Sequence, residues 1–163
     1  MTTPTDATLR GSLTPEDSLR QAGLRVTAPR LATLAVVERH QHADADTIAG
    51  HVRTQLGTVS KQAVYDVLHA LTDAGLVRRI SVNGRRALFE THRHDNHHHL
   101  VCRECGRVED VHCATGEAPC LHVASGQDYG FAIDEAEVIY RGFCPKCRDT
   151  AAEAGASPSA PAP

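Results

Sequence analysis

The chain predicts an α+β fold: an N-terminal winged helix-turn-helix followed by a small α/β domain with a four-cysteine zinc site. Three observations carry that expectation. Three helical patterns run into a basic hairpin before residue 90. Two C-x-x-C pairs, Cys102/Cys105 and Cys144/Cys147, bracket most of the second part. A histidine run, His97-His98-His99, stands just ahead of the first pair.

Residues 1–15 are polar and read as a flexible N-terminus. Thr27 can cap a helix whose first turn accepts Pro29, because the N–H that proline lacks would have no partner there. Leu31, Leu34 and Ala35 give that helix an apolar face. After the Asp44–Asp46 stretch, Ile48, Val52 and Leu56 recur at four-residue spacing, and Gly57 ends the second helix. Ser60 caps a third, whose stripe is Val64, Val67, Leu68 and Leu71 and whose end is Gly75. Leu76–Val82 and Arg85–Phe89 then flank Asn83-Gly84, a dipeptide suited to a two-residue hairpin turn because both positions take positive φ.

The second part reads as short strands at His97–Cys102, at Arg107–Val111, and from Phe131-Ala132-Ile133 through Val138-Ile139-Tyr140. A helix fits around Ala118–Ala124. The Pro/Ala/Ser-rich stretch from Thr150 cannot bury a core and reads as disordered. The expected organisation is therefore a flexible segment 1–15, a winged helix 16–90, a hinge 91–96, a metal-binding domain 97–149 and a tail 150–163. No internal repeat is visible.

Hydrophobic residues make up 41% of the 163, enough for real cores, but aromatics reach only 4% and tryptophan is absent. Cores this small often need a metal to complete folding. The net charge of −3 gives no nucleic-acid signal for the whole chain. Residues 1–90 hold 11 Lys+Arg against 9 Asp+Glu (net +2), and residues 91–163 hold 6 against 11 (net −5). A polyanion partner thus suits the first part. No apolar run approaches the roughly 18 residues of a membrane span, and the N-terminus lacks the basic and apolar regions of a signal peptide. A cytoplasmic protein is expected, in which thiols stay reduced and C-x-x-C pairs bind zinc. The alternative is a disulfide framework in a secreted domain.

The third helix turns Lys61, Gln62, Tyr65 and His69 away from its apolar stripe. Amide, cationic and phenolic groups on one face suit base edges and phosphates in a major groove. Ser60 and the N–H groups at the helix start can meet a phosphate. Arg78, Arg79, Arg85 and Arg86 charge the wing for backbone or minor-groove contact, and Arg25 and Arg30 flank the first helix start. The bland reading of each is a solvated polar face.

Each C-x-x-C sets two sulfurs on one tight turn, and two such turns complete a tetrahedral structural Zn²⁺ site. Gly106 lets backbone N–H groups fold toward a thiolate, and Pro145 stiffens the second turn. Cys113 and Cys120 are left over, either as small buried hydrophobes or as reactive thiols. On a strand, residues i and i+2 share a face, so His97 and His99 can hold one ion while His98 points away. Glu90 and Asp110 are candidate carboxylates, and His42 is a candidate nitrogen from the first domain. Imidazole with carboxylate suits an exchangeable Fe²⁺, Mn²⁺ or Zn²⁺, whereas thiolates suit a closed zinc. His92, His94 and His98 also read as a solvated histidine-rich linker.

These residues together resemble the ferric uptake regulator (Fur) superfamily over about residues 18–148. The resemblance rests on Gly23-Leu24-Arg25-Val26-Thr27-Ala28-Pro29-Arg30, Ser60–Tyr65, Gly75-Leu76-Val77, His97-His98-His99 through Cys105-Gly106, and Cys144-Pro145-Lys146-Cys147. Asp95-Asn96-His97-His98-His99 and Gly116-Glu117-Ala118-Pro119-Cys120-Leu121 are most similar to its actinobacterial catalase-linked branch of peroxide-responsive repressors. The resemblance implies a homodimer, formed through the second domain, that binds a palindromic double-stranded operator when a regulatory Fe²⁺ or Mn²⁺ is loaded. It implies regulatory ligands at His42, Glu90, His97, His99 and Asp110, with His42 and His97 as the histidines that peroxide would oxidise. Glu90 stands where some peroxide sensors carry Asp. Of a further family site, Glu117 matches one ligand, while Ala136 and Asn96 replace others.

The resulting expectation is a metal-dependent DNA-binding repressor that senses peroxide through iron-bound histidines and controls catalase or oxidative-stress genes. The alternatives are an iron-responsive repressor without peroxide sensing and a zinc-stabilised metal-binding module. No H-E-x-x-H motif or activated nucleophile points to an enzyme.

Overall fold

The computed structural model describes residues 13–81, 86–92, 97–115, 121–124, 126–133 and 136–153. Asn83-Gly84, Arg85, His94, Asp95, Asn96, Glu117, Ala118 and Cys120 lie outside them, as do most of the expected flexible N-terminus and of the tail. Two compact units divide the chain, Met1–Arg93 and His94–Pro163.

In the first unit the described helices are α1 (Pro15–Gln21), α2 (Ala28–Arg39), α3 (Ala45–Leu56) and α4 (Lys61–Asp73). Strands β1 (Ala43–Asp44), β2 (Val77–Ile80) and β3 (Leu88–Thr91) form an antiparallel sheet in the order β1-β3-β2. Local chemistry starts and stops each helix. The Asp44 side chain accepts the Thr47 N–H at the head of α3, and the Ser60 hydroxyl accepts the Ala63 N–H at the head of α4. Gly57 and Gly75, both at positive φ, follow the two helix ends. Thr27 occupies the N-cap position of α2 as expected, but its side chain makes no capping hydrogen bond.

The core of this unit joins Leu34, Val36 and Val37 of α2 to Ile48 and Val52 of α3, Val64, Leu68 and Leu71 of α4, Val77 and Phe89. Each such side chain contributes about 1.5–3 kcal/mol when fully buried. The buried face of α2 is centred on Thr33, Leu34, Val36 and Val37, while Leu31 and Ala35 are only half-buried. Helix α1 was not expected. Its N-cap Thr14 accepts the Asp17 N–H, with Pro15 in the first turn and Leu19 fully buried.

The two runs expected to flank Asn83-Gly84 do pair antiparallel, β2 setting Ile80 opposite Leu88 and Arg79 opposite Phe89, while the Asn83-Gly84 turn itself lies outside the described residues.

In the second unit β4 (His97–Cys102) lies between antiparallel β5 (Val108–His112) and parallel β6 (Ile139–Gly142), followed by α5 (Pro145–Glu153). Phe131–Ile133 form no strand, and Leu121–Ala124 are not helical, so the expected helix does not extend over these residues. Both stretches are exposed and lack the core contacts that would select regular structure. Helix α5 was not anticipated and runs into the stretch from Thr150 that composition reads as unstructured. Among described residues here, only Val101 and Cys102 are buried hydrophobics. Leu100, Leu121, Val123, Tyr129, Phe131 and Tyr140 are all exposed.

Candidate metal centres and DNA-binding face

The four paired cysteines converge. Parallel pairing of β4 with β6 sets Cys102 opposite Gly142, and the Arg103 N–H donates to the Gly142 carbonyl at 2.8 Å. That contact brings the turn after β4 beside the start of α5. Gly106, at φ +77°, closes the first knuckle, its N–H donating to the Cys102 carbonyl at 3.0 Å. The four Sγ atoms all lie within 4.8 Å of one another. Cys105 Sγ and Cys144 Sγ are 3.8 Å apart, matching the edge of a tetrahedron with metal–sulfur bonds of about 2.3 Å.

The electrostatics suit a dication. The backbone N–H of Cys144 donates to Cys102 Sγ at 3.3 Å. That bond, helped by the N–H groups of Cys105 and Glu104, draws the Cys102 thiol down to about 6. Hydrogen bonding with the Cys144 thiol, together with burial, pushes Cys147 up to about 12. Four thiolates this close repel one another until a metal neutralises them. The donor set and spacing fit a closed Zn²⁺.

The expected nitrogen and oxygen ligands pair up within each unit, His42 with Glu90 and His99 with Asp110, and His97 is not among the donor atoms that converge. In the first unit, β1 pairs Ala43 with Phe89, so the preceding His42 falls beside Glu90 of β3. His42 Nε2 lies 3.2 Å from Glu90 Oε2, and the His42 N–H donates to the Phe89 carbonyl at 2.9 Å. His42 takes φ +61°, an uncommon conformation for a residue with a side chain. Gln41 holds that turn in place. Its amide nitrogen donates to Thr91 Oγ1 at 2.9 Å, and its amide oxygen accepts the Thr91 N–H at 3.1 Å. Glu90 is buried, with Arg78 Nε 3.9 Å from its other oxygen.

In the second unit β4 and β5 pair His99 with Asp110, leaving His99 Nε2 3.7 Å from Asp110 Oδ1. The His97 ring meets the His99 ring edge-on, 5.1 Å between centroids. His98 is buried and faces Tyr140 edge-on at 6.3 Å, rather than lying in solvent. Cys113 is half-buried, its sulfur 3.1 Å from Thr115 Oγ1.

Of the expected DNA-reading residues, Ser60 caps α4 and Lys61, Gln62 and Tyr65 lie in its first two turns. Lys61, Gln62 and His69 are exposed and Tyr65 is half-buried, opposite the buried Val64, Leu68 and Leu71; Val67 is half-buried. Gln62 donates to Asp66 one turn on, at 2.8 Å. Arg86 is exposed on the sheet side, and Arg25 is exposed ahead of α2 with its carbonyl accepting from Arg30 at 2.9 Å. Arg78, expected to face DNA, is instead half-buried and directed to Glu90, its cross-strand partner.

Sequence reasoning missed Asp46. Its Oδ1 accepts from the Tyr65 hydroxyl at 2.5 Å and lies 2.5 Å from Lys61 Nζ, while Oδ2 accepts from Arg86 at 2.8 Å. Gln41 and Asp44 were likewise not singled out as positioning groups. The partners of all three are set by folding rather than by local pattern, apart from the Asp44 N-cap, which the Asp44–Asp46 stretch before an apolar run does signal.

Among described residues, no helix is long and apolar enough to cross a membrane. A winged-helix reader followed by a unit pinned by four thiols defines a metal-binding transcriptional regulator. The sequence profile of the ferric uptake regulator family matches residues 21–140, and the chain belongs to that family. It is 59% identical over 131 residues to the transcriptional regulator FurA of Mycobacterium tuberculosis, spanning 80% of this chain and 88% of that protein. It is 57% identical over 131 residues to ferric uptake regulation protein 1 of Mycolicibacterium fortuitum, spanning 80% of each. Among solved structures, the ferric uptake regulator of Vibrio cholerae matches with TM-score 0.64 and 31% identity, over 79% of this chain and 98% of that one. The regulator of Pseudomonas aeruginosa, solved with manganese, matches with TM-score 0.61 and 26% identity, over 82% and 99%.

Proposed function

We propose that this protein is a cytoplasmic repressor that binds palindromic duplex operators as a homodimer when Fe²⁺ or Mn²⁺ occupies a regulatory site drawn from both units. The observation that carries this reading is His42. It is held beside the buried Glu90 at an uncommon backbone angle by the Gln41 clamp, and a surface histidine needs no such arrangement. Divalent ions of this class take about four to six donors. His42 and Glu90 alone are too few, and His97, His99 and Asp110 supply the rest. One ion ligated by all five would couple the DNA reader to the zinc-anchored unit, biasing the pair by its differential affinity for the coupled state. The manganese in the Pseudomonas aeruginosa relative supports a metal of this kind.

A second copy is the natural cover for the apolar residues that the second unit exposes, among them Leu121, Phe131 and Tyr140. On the DNA face, α4 enters the major groove, where Gln62 meets base edges and Lys61 and Tyr65 meet the phosphate backbone. The N-terminus of α4 with Ser60 meets a phosphate, and Arg25, Arg85 and Arg86 hold the backbone. A duplex selected from a random-sequence pool by the Mn²⁺-loaded protein tests this. Lys61→Gln is expected to weaken binding to that duplex about tenfold at moderate salt, the order of one lost phosphate contact, with zinc content unchanged. Failure to select any sequence rejects the reading.

Peroxide is the proposed signal, acting on catalase or oxidative-stress genes. His42 and His97 would help hold the iron, which would supply the redox chemistry for peroxide to insert one oxygen at a ring carbon–hydrogen bond of either histidine, its second oxygen leaving as water. The oxidised ring would be lost as a ligand and DNA released. Mass spectrometry of the iron-loaded protein after peroxide treatment is expected to find a one-oxygen gain on one of these peptides. No gain, with binding that follows iron alone, would favour an iron-responsive repressor.

A further inference from the structure

We propose that Asp46 is an internal substitute for a DNA phosphate, a specificity-setting brake that occupies the donors of the reading face until duplex DNA displaces it. The inference rests on the reading that the α4 face and the wing bind DNA. Three groups of different origin meet on this one carboxylate: the Lys61 ammonium and the Tyr65 hydroxyl from α4, and the Arg86 guanidinium from the segment leading into β3. An ammonium, a hydroxyl and a guanidinium around a pair of anionic oxygens is how a protein grips a phosphate. Arg86 also reaches Asp44 Oδ2 at 3.4 Å. Two cations thus face two carboxylates, and the cluster is locally neutral.

A phosphate approaching this face meets two consequences. The Tyr65 proton already serves Asp46, and a hydroxyl has only one to give. The Asp46 charge, which Lys61 and Tyr65 keep ionised by lowering its proton affinity, repels a second anion at close range. Tyr65, Arg86 and Asp46 line an open cleft of about 570 Å³ shared with His69, Arg79 and Phe89, so the cluster is accessible to an entering backbone. A weak, sequence-independent contact cannot repay the exchange of Asp46 for phosphate; one that also places α4 against matching base edges can.

The test compares Asp46→Asn with the parent on a selected duplex and on a scrambled duplex, across a salt series. Asparagine keeps the size and an acceptor but removes the charge. Affinity is expected to rise about eightfold at 0.1 M salt on the scrambled duplex, with the log–log salt slope steeper by about 0.9, the signature of one further phosphate contact. Asp46→Glu, which keeps the charge, should stay near the parent. In a Lys61→Gln background the gain should shrink, because the two residues act on each other. Unchanged or weaker binding by Asp46→Asn, or full additivity with Lys61→Gln, overturns the proposal while leaving the DNA-binding reading intact. A parent that binds no duplex at all overturns both.

Discussion

Stripping zinc from the four-cysteine site is expected to unfold the second unit and to leave the first helical. The two units differ in how they are held. The first buries an apolar cluster that links α1–α4 to the sheet, including Leu19, Ile48, Val64, Leu68 and Leu71. Among its described residues, the second buries only Val101 and Cys102 as hydrophobics, and Cys102 is itself a ligand. A structural zinc contributes about 10–16 kcal/mol of apparent binding free energy in small domains, as much as the whole stability of an ordinary one. Cys144→Ser should act like the chelator, since it removes a sulfur from the cluster and the anchor at the head of α5. Far-UV circular dichroism and proteolysis with a strong chelator will check this: β4–β6 and α5 should be lost and α2–α4 retained. A second unit that keeps its protection without zinc would refute the assignment.

Acid should produce the same loss. The Cys102 thiol sits at about 6, below its ordinary 9.0, so its thiolate favours the folded state. That contribution is complete above pH 9 and disappears as the pH falls through about 6. Cys147 has the opposite sign: its raised value favours the fold below pH 9 and ceases to do so only as the pH approaches 12. Zinc binding requires all four thiolates and releases protons, so zinc occupancy should fall steadily on acidification.

The second large effect is expected from Glu90→Gln. Glutamine preserves the shape and one acceptor but removes the charge that the His42 imidazole and the Arg78 guanidinium approach. Zinc content and fold should be unaltered. The affinity for Mn²⁺ should fall about a hundredfold, equivalent to about 2.7 kcal/mol, because a dication loses the buried anionic oxygen donor of its site. His42→Ala should do the same. Calorimetric titration of the zinc-loaded protein with Mn²⁺ measures both, and an unchanged affinity in either variant would remove that residue from the site.

Much of this molecule was legible in its residues because the decisive patterns are local. A C-x-x-C pair fixes its own turn, so two pairs announce a tetrahedral site before any fold is known. Ser60, the stripe Val64–Leu68–Leu71 and Gly75 spell out α4 from cap to end. The i and i+2 relation placed His97 and His99 together on β4. What escaped depended on long-range pairing or on weak local signals. Nothing near Asp46 in sequence indicates that Arg86 will reach it across the fold, and nothing near Gln41 foretells Thr91. Helix α1 is too short for periodicity to register, although Thr14-Pro15 is a fair start signal. Helix α5 is polar and begins inside a metal knuckle, where the cysteine spacing dominates the reading.

The central claim is that metal occupancy controls DNA binding, and one titration addresses it directly. The zinc-loaded protein, freed of other metals, is measured against its selected duplex with and without saturating Mn²⁺ at fixed salt. Affinity should rise about a hundredfold on adding the metal. Equal affinity in the two conditions would contradict the claim and leave a zinc-stabilised DNA-binding protein without a metal switch.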